Sequence, residues 1–285
     1  MSDPIEKNFN LGGSIDKALA GDFELKPVSV ITEAWQLTMR NFLSFSPAVI
    51  LLIAIQVIIF IVALKFQIGD ISEILTMFQS PETLDPAIFQ SIFVANFSFE
   101  VVAAPIYAGV ALMAMSHAAG LSTQTGHITK GLQFMLPVIL VTMINLLSQA
   151  IAGALFPLLS LYLSLAFSNA MLLVCEKRLT PVKALWISLR AVNKRIFSIA
   201  VIYLVTMMAF LAGMMMYGLG LVVAVPFFFH AKGIIYRNMF GIRLQVVASS
   251  ESQNANTETE QDNHSNDDNS GPKSGSAGGS NTFDA

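Results

Sequence analysis

Residues able to do chemistry are sparse in this sequence, and most sit among apolar neighbours. Glu100 is the one acidic residue inside the long apolar runs. A carboxylate at the centre of a membrane span costs about 2.5–3.5 kcal/mol on insertion scales, so an acid there is a functional candidate by default. The twenty residues from Phe99 to Ala118 already suffice to cross a bilayer, which would instead leave Glu100 at the outer interface at little cost. Pro105 and Pro226 each interrupt an apolar run and leave backbone carbonyls for neighbouring helices to satisfy. With Glu100 they are the candidate intramembrane functional residues. Asn145, Ser148 and Gln149, and further on Ser164, Ser168 and Asn169, could line a polar path. Hydrogen bonds between helices, worth about 0.6 kcal/mol each, are the simpler role for them.

Other chemistries find no support. The histidines His117, His127, His230 and His264 share no metal-binding spacing, and His117 and His230 fall near inner span ends, where a polar tip is unremarkable. Met214, Met215 and Met216 point in different directions on a helix, which suits packing and lipid contact better than soft-metal binding. Neither a phosphate-binding glycine loop nor a nucleophile motif occurs. Cys175 is the single cysteine, so no intramolecular disulfide can form, and its neighbours Glu176, Lys177 and Arg178 suit the reducing side of a membrane. The sequence therefore predicts a non-enzymatic chain with no catalytic, cofactor-binding or metal residues, and nothing in it implies nucleic acid.

The elements that carry these residues follow from composition. Hydrophobic residues make up 54% and charged residues 12%, against about 45–50% and about 25% in an ordinary soluble domain. The apolar residues come in runs long enough for the roughly 20-residue helices that cross about 30 Å of hydrocarbon. The expected fold is an all-α integral membrane protein with about six transmembrane helices, two interfacial amphipathic helices and disordered termini. The spans are Phe42 to Phe66, a second within 91–118, Leu132 to Ala150, Leu158 to Val174, Ile196 to Met216 and Leu219 to Ile235. Residues 1–26 read as a flexible cytoplasmic arm, 27–245 as the transmembrane domain and 246–285 as a disordered, polar and acidic tail. No cleavable signal peptide is evident, so the first span is expected to direct insertion. The loop 67–90 carries Asp70, Glu73, Glu82 and Asp85 without Lys or Arg. With six spans, fifteen of the sixteen Lys and Arg fall on one side and only Lys65 on the other. That bias is expected to place both termini in the cytoplasm, with Lys232, Arg237 and Arg243 anchoring the last span inside.

The strongest charge cluster lies between Cys175 and Phe197, where six of the sixteen Lys and Arg sit between two apolar runs. Thr180 and Pro181 open a helix there as N-cap and first-turn proline. Val182, Leu185, Trp186, Leu189 and Val192 are expected to form its apolar face. Lys183, Trp186, Arg190 and Lys194 are the candidate contacts for lipid headgroups, since basic residues near an anionic surface gain about 1 kcal/mol each. Fixing topology would explain the same charges. A second surface helix from Pro27, with Trp35 at the headgroup layer, leads into the first span.

Two stretches rhyme. Glu33-Ala34-Trp35 before Asn41-Phe42 matches Ala184-Leu185-Trp186 before Asn193 and Ile196-Phe197, and the runs around Pro105 and Pro226 correspond. A parallel duplication of surface helix, span and proline-broken span is expected, with spans three and four inserted as a hairpin. These motifs, with Gly233-Ile234-Ile235-Tyr236-Arg237 and Phe240-Gly241, resemble the bacterial YciC-like family and the membrane domain attached to some glycerophosphodiester phosphodiesterases. The resemblance spans about 27–245 and implies a polytopic inner-membrane protein. The phosphodiesterase catalytic domain is missing from the chain, so no esterase activity is implied. The expected role is structural or assembly-related, through the lipid bilayer, anionic lipids or other membrane proteins. The alternative is a small transporter or permease-like subunit.

Overall fold

The computed structural model describes residues 6–68 and 86–247. The loop acids Asp70, Glu73, Glu82 and Asp85 and the tail from residue 248 lie outside the described residues. Within them the chain is helical apart from one pair of strands, and five helical stretches are long and apolar enough to cross a membrane: Phe42–Gln67, Gln90–Ala118, Thr125–Leu155, Pro157–Lys177 and Ile196–Met215. Their outward faces are rich in exposed Leu, Ile, Val, Phe and Met. A water-soluble fold would have buried that surface; a bilayer covers it.

The N-terminal segment departs from the flexible arm expected of it. Strand β1, Glu6–Leu11, pairs antiparallel with β2, Ile242–Val247, from Glu6 opposite Val247 to Leu11 opposite Ile242. Helix α1, Ile15–Ala20, follows, with the Ser14 hydroxyl accepting from the Lys17 amide and Gly21 closing it in a left-handed cap. Ala18, Phe23 and Leu25 are buried. A composition dominated by polar residues and glycines hid this order, because the partner strand lies more than 230 residues away. Gly12 has φ near 97°, and a side chain there or at Gly13 would collide with the backbone at the end of the last helix. That contact is sealed by the Gly13 amide donating to the Arg237 carbonyl at 3.0 Å.

Helix α2, Pro27–Arg40, buries Val30, Ala34 and Thr38, one residue per turn, and leaves Trp35 exposed. Helix α3, Phe42–Ile68, and helix α4, Pro86–Ala118, are the longest apolar elements. A 3-10 segment, Thr125–Phe134, crosses α4 where Gly131 meets Gly109 and the carbonyl of Pro105 backbone to backbone. Helix α5, Met135–Leu155, turns at Phe156 into α6, Pro157–Ala166. The fourth apolar run is not one helix: it breaks at Phe167–Asn169 and resumes as α7, Ala170–Lys177. Helix α8, Pro181–Asn193, lies over the break, and its Ser188 hydroxyl donates to the Ala166 carbonyl at 2.7 Å. Helix α9, Ile196–Met215, leads to α10, Leu221–Phe240.

Helix α10 is the centre of the molecule. Thirteen of its twenty residues are buried, and it packs on α2, α3, α4 and α9. Gly233 brings its backbone against Ala114 and Met115 of α4, so the two proline-bearing helices pack directly. The expectation that Lys232 anchors an inner end is corrected here: its side chain is 7% exposed and sits inside the bundle. The expected apolar face of α8 is rotated as well. Ala184, Leu185, Ile187, Ser188, Ala191 and Val192 are buried against protein, while Val182 and Trp186 point outward.

Candidate functional site

Two kinds of polar cluster occur in the bundle. The first is closed. Thr38 of α2 donates its hydroxyl proton to the Ala34 carbonyl at 2.7 Å, so its oxygen accepts from His230 Nδ1 at 3.1 Å. His230 Nε2 lies 3.0 Å from His117 Nδ1, and His117 Nε2 lies 2.8 Å from Thr123 Oγ1. Neutral imidazoles each have one donor and one acceptor, and the Thr38 proton sets the direction of the row. Thr123 donates to His117, His117 to His230, and His230 to Thr38. All four side chains are buried, and the Phe45 ring packs on both histidines, 5.3 Å and 4.7 Å between centroids. The row ties α2, α4, α10 and the loop after α4 together.

Two ionic knots flank it. Arg237 of α10 donates to both Glu33 oxygens, at 2.6 Å and 2.9 Å, and to the Ala118 carbonyl at the end of α4, at 2.8 Å. Buried Glu176, at the end of α7, accepts from Tyr236 at 2.8 Å, from Lys177 at 2.9 Å and from the Arg243 amide at 3.1 Å. Glu33 and Arg237 are thereby joined, although they come from opposite ends of the sequence.

The second kind is open. A cavity of about 660 Å³ lies among α4, α5, α9, α10 and the break between α6 and α7. Its polar lining includes Glu100, Tyr107, Thr142, Asn145, Gln149, Ser164, Ser168, Tyr203 and Lys232. The Lys232 ammonium reaches the Tyr107 hydroxyl at 3.3 Å and lies 5.0 Å from that ring's centroid. No carboxylate lies within 4 Å of it among the described residues. Thr142 Oγ1 is buried without a hydrogen-bond partner, and the Tyr203 hydroxyl, approached by Ser168, completes no hydrogen bond either. A second cavity, of about 420 Å³, shares Leu146 and Gln149 with the first and continues to Gly153 and Ser160 at the α5–α6 turn.

Of the residues singled out in the sequence, Glu100 lines the larger cavity and accepts from Asn96 at 3.0 Å. It lies eighteen residues before the end of α4, roughly 27 Å along the axis. Pro105 is buried and offers its carbonyl edge to Gly131; Pro226 is buried beside Phe227, whose ring meets Trp35 edge-on at 6.1 Å. Pro105 and Pro226 are absent from the cavity wall. Lys183, Trp186, Arg190 and Lys194 are exposed on α8, and the Lys194 stem runs close to Gly21. Among the described residues no group of three or more His, Cys, Asp and Glu could hold a metal ion. Thr142 and Tyr203 escaped the sequence reading, and Lys232, His117 and His230 were read there only as polar groups near inner span ends. Lys232 carried one signal: apolar Phe227, Phe228 and Phe229 precede it and Ile234 and Ile235 follow, which marks a lysine inside a span rather than at its end.

No family model, curated protein or solved structure matches the chain. Function accordingly rests on these side chains.

Proposed function

We propose that the chain is a multi-pass protein of the bacterial inner membrane, with α10 as a sixth span and both termini in the cytoplasm, that acts as a small transporter or permease-like subunit. With Lys232 inside the bundle, fourteen of the remaining fifteen Lys and Arg fall on one side and only Lys65 on the other, which supports the orientation. One observation carries the transport reading: the fourth span breaks at Phe167–Asn169 and Ser168 beside the break lines the cavity. Irregular backbone at membrane depth is tolerated where protein or a water-filled cavity surrounds it, and broken spans are where transporters hold their cargo. The smaller cavity extends towards the α5–α6 turn on the outer side, while the histidine row and the Arg237–Glu33 pair close the inner ends of α2, α4 and α10. This is the arrangement of an outward-facing carrier. A purely structural role would leave the cavity and its unpartnered hydroxyls without a purpose.

The test is flux. Purified protein in liposomes, screened against small charged and neutral solutes, is expected to give saturable uptake that Ser164→Trp, which fills the cavity from an exposed position, abolishes. Equal leakage through the wild type, Ser164→Trp and protein-free vesicles would return the chain to the structural reading. Cytoplasm-only and exterior-only reporters at residues 80, 125, 185 and 260 test the topology, with an exterior signal expected at 80 alone. An exterior signal at 185 or 260 would overturn it.

A further inference from the structure

We propose that the larger cavity is a binding site for a singly charged anion, a carboxylate or phosphate group carried on a mostly apolar body. Lys232 is its counter-ion. The inference rests on the cavity that the transport reading uses, but not on transport itself.

Three observations converge on it. Lys232 is 93% buried, taking its 7% exposure, yet among the described residues its one side-chain hydrogen bond is to a neutral phenol. A lysine held in such a place is strongly disfavoured unless something negative comes to it. Its contact residue Tyr107 lies eleven residues from the end of α4, roughly 16 Å along the axis. With that end at the inner boundary, the ammonium sits near the middle of about 30 Å of hydrocarbon. Second, the Thr142 and Tyr203 hydroxyls line the same space; Thr142 has no hydrogen-bond partner, and Tyr203, approached by Ser168, completes no hydrogen bond. Third, Met171, in the first turn of α7, lines the cavity, and no side chain caps that helix start, where the Ala170 amide donates to the Phe167 carbonyl at 3.0 Å. The first N–H groups of a helix carry partial positive charge. A buried cation, a threonine hydroxyl with no partner and a helix start without a side-chain cap all favour a negative group.

The remaining wall sets the rest of the ligand. Phe99, Leu146, Met207, Phe210 and Phe228 supply apolar surface, and the volume is within the roughly 300–1,000 Å³ of small-molecule pockets. Glu100 lines the same cavity two turns of α4 from Tyr107, roughly 10 Å away along the axis. A second negative charge at the far end of the ligand would meet that carboxylate, so monoanions are selected over dianions.

The probes separate a membrane-derived ligand from a soluble one. Native mass spectrometry of the whole protein in a neutral detergent would be read with octanoate, octanedioate, lysophosphatidylglycerol and lysophosphatidylcholine. Octanoate or lysophosphatidylglycerol is expected to bind saturably, one per chain. Octanedioate and the zwitterionic lysolipid should bind at least tenfold more weakly. Preference for the lysolipid over octanoate identifies a lipid source, and the reverse a soluble one. Lys232→Met should weaken the preferred probe at least tenfold, Lys232→Arg less than threefold, and Thr142→Val three- to tenfold. Thr142→Val leaves the charge in place and covers the case in which Lys232→Met alters the fold. Failure of both monoanions to saturate, or equal binding to the wild type and to both the Met and Val variants, would overturn the proposal. Flux without Lys232-dependent binding defeats this inference alone; Lys232-dependent binding without flux defeats only the transport reading.

Discussion

The histidine row with its two ionic knots and the cavity beside α7 contain the same kinds of side chain, yet treat them oppositely. In the first the buried side chains of Thr38, His117, Thr123, His230, Glu176 and Tyr236 all have partners. In the cavity, among the described residues, the Lys232 ammonium has only a phenol, and the Thr142 and Tyr203 hydroxyls have no completed bond. Satisfied buried networks rigidify a fold, whereas unpaired polar groups are a standing cost. The first region is therefore scaffold, and the second is a place kept unfinished for something else.

The widest gap between the regions should appear with His230→Ala. It leaves His117 and Thr38 without their shared partner and opens a void beneath Phe45, a loss expected at about 3–5 kcal/mol. Chemical unfolding in mixed micelles measures it. Thr142→Val, which removes an unpartnered hydroxyl from a buried site, should be neutral or stabilising in the same assay. Comparable losses in both variants would erase the distinction between scaffold and site.

The next effect is smaller because water reaches the pair. Arg237→Ala should cost about 2 kcal/mol, since hydrogen bonds to charged groups are worth roughly 1.5–3 kcal/mol and Glu33 keeps 35% of its side-chain surface exposed. The loss should include looser packing of α2, read as faster amide exchange across Pro27–Arg40. Lys232→Met then moves the other way. Replacing a buried charge by an apolar chain of similar length should stabilise the ligand-free protein by about 1–2 kcal/mol. A lower melting temperature for Lys232→Met would mean that the ammonium is part of the scaffold.

The helical membrane architecture was legible because hydrophobic runs report span length directly, and five of the runs became helical stretches long and apolar enough to cross. The polar interior was not. His117 and His230 are 113 residues apart in sequence, and nothing in either's neighbourhood announces the other. Lys232 was misplaced because a positive charge late in a span reads as an inner anchor; Gly233 and the apolar residues after it continue the helix inward. The break at Phe167–Asn169 contains neither proline nor glycine. It depends on Ser188 reaching across from α8 to the Ala166 carbonyl, which no local pattern encodes. Glu100 was legible as an unusual acid, but its place on the cavity wall depends on the packing of α5, α6, α7, α9 and α10 around it.

Helix α8 gives the smallest effect. Its hold on the protein comes from Leu185, Ile187, Ser188, Ala191 and Val192, all buried, so Trp186, 59% exposed, contributes little to folding. Trp186→Ala should change stability by less than about 0.5 kcal/mol, the usual limit for surface positions. Its effect should appear at the membrane instead, because an exposed indole beside Val182, flanked by Lys183 and Arg190, suits the headgroup layer. With Trp35→Phe as background, Trp186 is the sole tryptophan, and brominated lipids can report its depth in vesicles. Brominated phosphatidylglycerol is expected to quench it more than brominated phosphatidylcholine at low salt, with the difference fading as salt screens the charges. Changing Lys183, Arg190 and Lys194 to Gln should abolish that difference while leaving quenching by the neutral lipid in place. Equal quenching by both lipids in the unchanged helix would mean that the basic cluster sets orientation and does nothing further, since orienting charges need no lipid of their own.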